Sequence, residues 1–447
     1  MIQRCDTLLE THEILGRSES KAEKLGTKGC CYLGRNVSYP GGEYEEMGRT
    51  YLDIVSPHCM LVVGKRGTGK SYTLGVIAEE FAKLKEEYSE RVSLVLIDTM
   101  SVFHSLKKKN TNEREIEEME RFEIEPESWD DVVRILVPQI AIDEANKEGR
   151  EVHRDEVLRL PLSNVEVHEW LDLFDLEVTE PVGTLLSQII TDLKEYQGDF
   201  SFQDLYRKIE QAEVEKDKKD TLKNLFNMIE KLKLFSKEGM DVDIAEAGKI
   251  TVLDISYLGR LGKYALRNLI VSIFAREQMS KRTLYTTIEM QSQADLVDSE
   301  SAKNITEEHP IIYMLIDEAH LFLPADGEAI SSKPLIDWIK LGRHPGLSLI
   351  LATQEPSALH TSAIRQSDLI IAHNMTSKDD LDALKVAKQS YMRKGLDEMV
   401  GKMQFKRGLA MILDDKTRNL RLSRVRPRHT LHTGVDASAL PEEERYR

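Results

Sequence analysis

Short apolar runs alternate with amphipathic stretches along most of the chain. The runs 60–63, 92–97 and 311–316 are almost continuously apolar, which is typical of strands buried on both faces of a sheet. Further strands are predicted over 132–137, 249–255, 347–353, 369–372 and 409–413. Strands that alternate with helices indicate an α/β fold, with a mostly parallel sheet that helices cover on both faces.

Helical spacing predicts the elements between these strands. Apolar residues recur at intervals of three and four over 72–87, and helices are also predicted over 264–279 and 333–340. The segment that follows the second of these helices, 280–310, is polar and has no clear period. We therefore expect 280–310 to be a long excursion from the fold.

The middle of the chain has a different character. Charged, helix-favouring residues dominate from 140 to 248, and both 184–196 and 221–234 place apolar residues at helical spacing. We predict a mostly α-helical insertion within the α/β core. The predicted units are an N-terminal segment, a first part of the core, the insertion, a second part of the core and a basic tail: 1–50, 51–139, 140–248, 249–414 and 415–447.

The composition is that of a globular protein with more than one unit. Of the 447 residues, 41% are hydrophobic and 31% are charged, which excludes collagen-like and wholly disordered chains. No apolar run approaches the roughly 20 residues of a membrane helix, and Asp6, Glu10 and Glu13 interrupt the region that a signal peptide needs. With only four cysteines, we expect a cytoplasmic protein without a membrane partner.

Charge is unevenly distributed along the chain. The net charge of −16 argues against a protein coated in positive potential. Nevertheless, nine basic residues stand against Asp414 and Asp415 between 402 and 428, whereas 113–131 is strongly acidic. The basic run fits a solvated charged surface, and it fits equally a track for a polyanion. Its members are Lys402, Lys406, Arg407, Lys416, Arg418, Arg421, Arg424, Arg426 and Arg428.

A phosphate-binding loop follows the first predicted core strand. The run GKRGTGKS matches the complete P-loop pattern, with a strand before it and a helix after it. Its backbone N–H groups can converge on phosphate oxygens at the positive end of the helix, and glycines permit the close approach. The candidate ATP-binding residues are Gly64, Lys65, Arg66, Gly67, Thr68, Gly69, Lys70, Ser71 and Tyr72. Lys70 would pair with the outer phosphates, and the Ser71 hydroxyl would ligate Mg²⁺.

Two carboxylates end the predicted strand 311–316. Ligands of open α/β sheets bind at the carboxyl ends of the strands, so Asp317 and Glu318 are expected there. Asp317 would hold Mg²⁺, and Glu318 would act as the general base that polarises the attacking water. Paired with the P-loop, these residues predict ATP hydrolysis.

Other polar residues follow the same strands or the helices between them. Gln354 ends the strand 347–353, which we expect beside the Asp317 strand, and it would orient water or sense the γ-phosphate. An amide that caps a turn is the alternative. Asp98 ends a strand that we expect beside the P-loop strand, where it could support Mg²⁺ or form a turn. His320 is expected near Glu318 without ligating a metal.

Two arginines are candidates for stabilising transition-state charge. Arg343 lies between a predicted helix and the Gln354 strand, where it could reach the nucleotide of a neighbouring subunit as an arginine finger. A cation that simply complements a helix C-terminus is an equal alternative. Arg365 is a second, weaker candidate.

The ordered set of motifs resembles the HerA branch of the HerA/FtsK ATPases. The similar segments are GKRGTGKSYTL (64–74), LIDEAHLFL (315–323), GRHPGLSLILATQEP (342–356) and the basic RVRPRHTLHTG (424–434). The resemblance implies a RecA-like core, ATP and Mg²⁺ as ligands, and assembly as a homo-oligomer, expected to be a hexameric ring, that moves duplex DNA. By the same resemblance Lys70, Ser71, Asp317, Glu318 and Gln354 form the ATP site, and Arg343 becomes a finger acting in trans.

The resemblance also implies a partner nuclease of the NurA type and a role in DNA-end processing. Family members of that kind carry a β-barrel domain ahead of the P-loop, and we expect that barrel to be absent or much reduced here. The first functional hypothesis is an ATP-driven DNA translocase or helicase. The alternatives are a regulatory or protein-remodelling ATPase whose turnover ignores DNA, and a nucleotide-gated scaffold with negligible turnover.

Overall fold

A computed structural model describes residues 12–39, 43–84, 86–240, 242–260, 262–294, 309–375, 377–387 and 408–433. Its strands are β1 (Glu13–Leu15), β2 (Cys30–Ser38), β3 (Glu45–Asp53), β4 (Cys59–Val63), β5 (Val92–Asp98), β6 (Val133–Pro138), β7 (Glu156–Leu158), β8 (Leu160–Pro161), β9 (Phe235–Ser236), β10 (Ile250–Asp254), β11 (Ile311–Ile316), β12 (Leu347–Thr353), β13 (Leu369–Ala372), β14 (Leu409–Asp414) and β15 (Asn419–Val425).

The helices lie mainly between these strands. They are α1 (Glu19–Leu25), α2 (Lys70–Ala82), α3 (Glu86–Ser89), α4 (Glu113–Arg121), α5 (Gln139–Lys147), α6 (Val167–Phe174), α7 (Pro181–Gln197), α8 (Phe202–Gln211), α9 (Lys216–Glu230), α10 (Ser256–Arg260), α11 (Tyr264–Gln293), α12 (Ser332–Leu341), α13 (Thr361–Gln366) and α14 (Lys378–Ala387). Among the described helices, none combines the length and the apolarity that crossing a membrane requires.

A single 13-stranded sheet organises the fold. Its strand order is β1-β3-β2-β15-β14-β13-β4-β12-β11-β5-β10-β6-β7. From β13 to β7 all neighbouring strands are parallel, as the alternation of strands and helices predicts. The predicted α/β class, a RecA-like P-loop core with a mostly parallel sheet, is confirmed.

Alternate side chains of the parallel strands enter two separate cores. On one face, Met60 and Val62 of β4 pack in a cluster with Leu74 and Ile77 of α2. On the other face, Leu61 and Val63 belong to a cluster that includes apolar residues of α11 and α12. Both faces of the strands are therefore apolar, which is why their sequences read as continuous apolar runs.

An antiparallel extension continues the sheet beyond β13. The pairs β13–β14, β14–β15, β15–β2 and β2–β3 are all antiparallel. The N-terminal segment therefore joins the same sheet as the ATPase core. The sequence predicts β14 of this extension, over 409–413, but it does not indicate β2 and β3, because these strands mix polar and glycine residues with apolar ones.

Three sequence-based expectations are wrong in detail. Strand β5 does not lie beside the P-loop strand β4, because β12 and β11 lie between them. The predicted helix 72–87 ends at Ala82 and is followed by the separate helix α3. The expected excursion 280–310 begins as a continuation of α11, which reaches Gln293; residues 295–308 lie outside the described residues.

Helices dominate the region between β6 and β10. Helices α5 to α9 fill most of it, and the short strands β8 and β9 pair with each other. The buried carboxylate of Glu169, in α6, connects this region to the core, since it accepts a hydrogen bond from Ser272 Oγ of α11 at 2.6 Å. The limits of the insertion, 140–248, stay a prediction.

Candidate nucleotide-hydrolysis site

The P-loop connects β4 to α2 at the carboxyl end of the parallel sheet. Gly67 and Gly69 have φ of 73° and 115°, in a region of backbone conformation that residues other than glycine rarely adopt. Lys65 N–H donates to Asn374 O at 3.1 Å, which attaches the loop to the segment after β13. The Nζ of the buried Lys70 donates to Lys65 O at 3.2 Å, so the Lys70 side chain lies across the P-loop.

Ser71 and Asp317 meet although they are far apart in sequence. Ser71 Oγ donates to Asp317 Oδ2 at 2.9 Å. Burial raises the pKa of Asp317, although the hydrogen bond from Ser71 opposes the shift. The two oxygens form a pair of hard donors beside the P-loop, which is the chemistry that Mg²⁺ prefers.

Glu318 lies next to this pair in a left-handed backbone conformation, with φ of 52°. Its Oε1 accepts a hydrogen bond from Gln354 Nε2 at 3.0 Å. Its Oε2 is buried and accepts no hydrogen bond from any described residue. Burial raises the pKa of Glu318, and the charge of Asp317 raises it further. An oriented carboxylate with one unengaged oxygen can accept a proton from water.

Strand pairing explains how Gln354 reaches Glu318. β11 and β12 are parallel neighbours, as the sequence predicts, and Ile316 is in register with Leu351. Their carboxyl ends therefore present Asp317, Glu318 and Gln354 at one edge of the sheet. The amide of Gln354 contacts the candidate base itself, which the sequence did not specify.

The contacts of Asp98 favour its role in a turn. Its carboxylate accepts hydrogen bonds from the backbone N–H groups of Met100, Val102 and Phe103, at distances from 2.8 to 3.0 Å. Burial and the neighbouring Asp254 raise the pKa of Asp98 to about 7. Asp98 thus stabilises the loop after β5, one strand away from Asp317.

His320 lies in contact distance of the site without belonging to a metal cluster. Its Nδ1 lies 3.1 Å from Thr353 Oγ1 and 3.6 Å from Glu318 Oε2. Burial lowers the pKa of His320. Among the described residues, no group of three or more His, Cys, Asp or Glu side chains could hold a metal ion.

Arg343 and Arg365 do not join this site. Arg343 is exposed and lies between α12 and the amino end of β12, whereas the site is built at the carboxyl ends of the parallel strands. Arg365, in α13, likewise precedes the amino end of β13. An arginine at this edge cannot serve the nucleotide of its own chain, so any role as a finger would require a second subunit.

Four described arginines of the basic run form ion pairs within the chain. Arg426 and Arg428 are 0% and 1% exposed, and both pair with the buried carboxylate of Glu79 on α2. Arg424 forms an ion pair with Glu118 of the acidic run, and Arg421 pairs with Glu13. The polyanion track, one of the two alternatives for this run, is therefore wrong for the buried Arg426 and Arg428. Lys402, Lys406 and Arg407 lie outside the described residues.

Tyr72 contacts the same C-terminal segment. Its hydroxyl accepts a hydrogen bond from Arg428 N–H at 2.8 Å, and its ring meets the ring of His432 edge-on. The backbone of this segment and α2 are therefore joined next to the P-loop. These contacts do not depend on a nucleotide, so the binding role of Tyr72 stays a prediction.

A buried histidine beneath the P-loop escaped the sequence analysis. His373 directly follows β13, whose carboxyl end lies beside the P-loop strand, and it contacts Thr73 of α2. The available signal was its position, because polar residues follow other parallel strands at this edge, as Asp317 follows β11 and Gln354 follows β12. A single histidine after a short apolar run carries no recognisable motif.

The family model for the central domain of the helicase HerA matches residues 42–276, more than half of the chain. The chain belongs to the HerA family. It is an ATPase of the HerA/FtsK type, as the P-loop and the carboxylates indicate. A curated relative from Methanocaldococcus jannaschii, described as a "Probable DNA double-strand break repair helicase HerA", is 24% identical in an alignment of 384 residues that covers 78% of this chain and 67% of the relative.

Solved structures resemble this HerA-family chain more remotely. VirB4 of Thermoanaerobacter pseudethanolicus is 14% identical, with a TM-score of 0.48 and coverage of 90% of this chain and 96% of VirB4. The plasmid coupling protein TrwB, in complex with a GTP analogue, is 12% identical, with a TM-score of 0.45 and coverage of 85% and 88%. Likenesses at this level carry no argument about function.

Proposed function

We propose that this chain is an ATP-driven motor that moves along or unwinds DNA as an oligomeric ring. The observation that carries the proposal is the match to the HerA central domain, over a segment that includes the P-loop. The curated relative, whose name describes a DNA repair helicase, supports the choice of DNA as the substrate. Duplex DNA is the proposed form.

The proposed hydrolysis uses the residues that meet at the carboxyl edge of the sheet. The backbone of Gly64 to Ser71 would cradle the phosphates, and Lys70 would pair with the outer ones. Glu318 Oε2 would take a proton from the attacking water while the water oxygen bonds to the γ-phosphorus. The bond between the γ-phosphorus and the bridging oxygen would break, and ADP would leave with that oxygen. Gln354 would keep the carboxylate oriented through its hydrogen bond to Oε1.

Mg²⁺ fits the oxygen pair of Ser71 and Asp317. Their Oγ and Oδ2 atoms are 2.9 Å apart at the edge where phosphates would bind. A bound Mg²⁺ would neutralise part of the phosphate charge. The protein supplies few ligands of its own here, which suits a metal that arrives with the nucleotide.

The ring, its arginine finger and its partner belong to the same proposal. Arg343 lies on the edge of the sheet opposite the phosphate site, so a head-to-tail ring could bring it to a neighbour's nucleotide. A hexamer, a partner nuclease of the NurA type and a cytoplasmic location follow from the family resemblance. The role of the helical region 140–248 is not specified by it.

A second candidate function is a protein-remodelling ATPase that ignores DNA. The observations that favour it are the net charge of −16 and the burial of Arg426 and Arg428 in internal ion pairs. These arginines cannot neutralise phosphates of a nucleic acid while they are paired with Glu79. The helical region would then provide the surface for a protein partner.

The deciding experiment is ATP turnover with and without linear duplex DNA, at two salt concentrations. A DNA motor should show turnover stimulated by DNA, and the stimulation should weaken as salt rises because binding to phosphates releases counterions. A Glu318→Gln variant, in which the candidate base is lost, provides the background rate. Turnover equal with and without DNA at both salt concentrations would contradict the motor and favour the remodelling ATPase.

A further inference from the structure

His373 is packed against the P-loop from below. It is 1% exposed and follows β13, the parallel neighbour of the P-loop strand β4. An added Cβ at Gly64 would lie 2.7 Å from the Cβ of His373, and one at Gly69 would lie 3.5 Å from its Cε1. The Cβ of His373 therefore occupies the space beside Gly64, and its ring lies beside Gly69.

Hydrogen bonds fix the orientation of this ring. His373 Nδ1 lies 3.3 Å from Leu409 O, and His373 Nε2 lies 2.8 Å from Thr73 Oγ1. A carbonyl oxygen only accepts, so Nδ1 carries the proton, and Nε2 of the neutral ring accepts from the Thr73 hydroxyl. Burial lowers the pKa of His373 to about 4, which is consistent with a neutral ring near pH 7.

The backbone next to the ring holds the loop from the other side. His373 N–H donates to Val63 O at 2.7 Å, and Lys65 N–H donates to Asn374 O at 3.1 Å. The start of the loop is thus bonded to β13 and its continuation, and the first turn of α2 is bonded to the imidazole. Among the described contacts of His373, none involves Asp317, Glu318 or Gln354.

We propose that His373 is a positioning residue that sets the conformation of the P-loop for the phosphates of the nucleotide. The inference rests on the proposed ATP site and concerns binding rather than the chemical step. With the ring in place, the loop is held close to its phosphate-bound shape before the nucleotide arrives. Without it, binding must also order the loop, and the affinity falls.

The test is the affinity of the full chain for ADP and for AMP, measured by calorimetry with Mg²⁺ and without DNA. His373→Leu removes both hydrogen bonds and should weaken ADP binding about tenfold, because each loss leaves a buried polar partner unsatisfied. AMP, which lacks the β-phosphate that the loop cradles, should lose about twofold or less. In turnover, the KM for ATP should rise about tenfold, whereas kcat should change by about threefold or less.

His373→Gln provides the conservative comparison. Its amide oxygen can still accept from the Thr73 hydroxyl, so we expect most of the ADP affinity to return. Thr73→Val deletes the hydroxyl that is the other partner in this hydrogen bond. This variant is measured instead if His373→Leu does not fold. Equal losses of ADP and AMP affinity in these variants would overturn the proposal, and so would unchanged ADP affinity.

His58→Gln is the matched control. His58 is also a buried histidine, but it precedes the amino end of β4 and contacts Asp368 at 2.8 Å, at the opposite edge of the sheet. We expect a lower melting temperature and an ADP affinity within about twofold of the parent. If His58→Gln loses as much ADP affinity as His373→Leu, the loss is due to general destabilisation, and the proposal is overturned.

Lys70→Ala separates this inference from the proposed site. Lys70→Ala should lose ADP and ATP affinity because the phosphates lose their charge partner. If Lys70→Ala binds ADP normally, the site assignment fails and the inference about His373 fails with it. If Lys70→Ala loses binding and His373→Leu does not, only the inference fails.

Discussion

At the scale of single residues, the site depends on which oxygens are already engaged. Both carboxylates Asp98 and Glu318 end buried strands at the same edge of the sheet. Both oxygens of Asp98 accept hydrogen bonds from backbone N–H groups of the following loop, whereas Glu318 Oε2 accepts none from any described residue. The hydrogen-bond partners, and not the residue type, distinguish the structural carboxylate from the candidate base.

Replacing the base should separate binding from turnover. Glu318→Gln keeps the shape of the side chain and removes the group that accepts the proton, so we expect kcat to fall by about 10² or more. ATP binding should persist, because Lys70 and the P-loop are unchanged. The measurements are steady-state phosphate release and ATP affinity by calorimetry.

Glu355→Gln is the control for this variant, since Glu355 is an exposed carboxylate directly after Gln354. It should keep a parent-like kcat. A Glu318→Gln variant with undiminished turnover would contradict the assignment of the base and favour a different proton acceptor.

At the scale of elements, buried ion pairs join two arginines of the basic run to helix α2. The C-terminal segment after β15 crosses α2, where Glu79 accepts from Arg426 Nη1 at 3.0 Å and from Thr430 Oγ1 at 2.6 Å. Burial would raise the pKa of Glu79, but Arg426 and Arg428 outweigh it and lower that pKa. The segment therefore attaches the end of the chain to the helix that begins at the P-loop.

Removing one charge of this buried cluster should destabilise the fold strongly. Arg426→Met leaves Glu79 with less compensation, and we expect a loss of about 3–5 kcal/mol of stability, measured by urea denaturation. Arg421→Met, at the half-exposed pair with Glu13, should cost about 1 kcal/mol or less. The double variant Arg426→Met with Glu79→Gln should recover part of the loss, and strictly additive losses would show that the pair is not coupled.

At the scale of the whole molecule, the sheet separates two sets of functional candidates. The P-loop, Asp317, Glu318 and Gln354 lie at the carboxyl ends of the parallel strands, and Arg343 lies beyond the amino end of β12. One chain thus contains a phosphate site and a remote exposed arginine. This separation is what a ring with nucleotides between subunits requires, and a monomer would leave Arg343 without a role in hydrolysis.

Mixed oligomers test this arrangement directly. Arg343→Ala subunits have an intact base, and Glu318→Gln subunits have an intact arginine, so mixing them should restore part of the ATP turnover that each lacks alone. Mixtures of Arg343→Ala with Lys340→Ala subunits control for the loss of a cation in the same region. Verified mixed oligomers without restored turnover would argue against an arginine acting in trans.

Local patterns in the sequence were enough to predict the class of the fold and the candidate residues of the phosphate site. Buried strands can be predicted from short windows of sequence, because strands covered on both faces are continuously apolar. The predictions for β11, β12 and β13 agree with the structure. The P-loop is equally local, because its glycines and its lysine act within one turn of chain. The family model confirms membership over residues 42–276, a range that includes the P-loop.

Only the tertiary structure decided the contacts that join distant parts of the chain. It placed β12 and β11 between β4 and β5, paired Arg426 and Arg428 with Glu79, and set His373 beneath the loop. Strand order and burial of charge depend on long-range packing, which leaves no periodic signal in a short window of sequence. A run of charged residues has the same sequence pattern whether its side chains contact water, a polyanion or a carboxylate of the same chain.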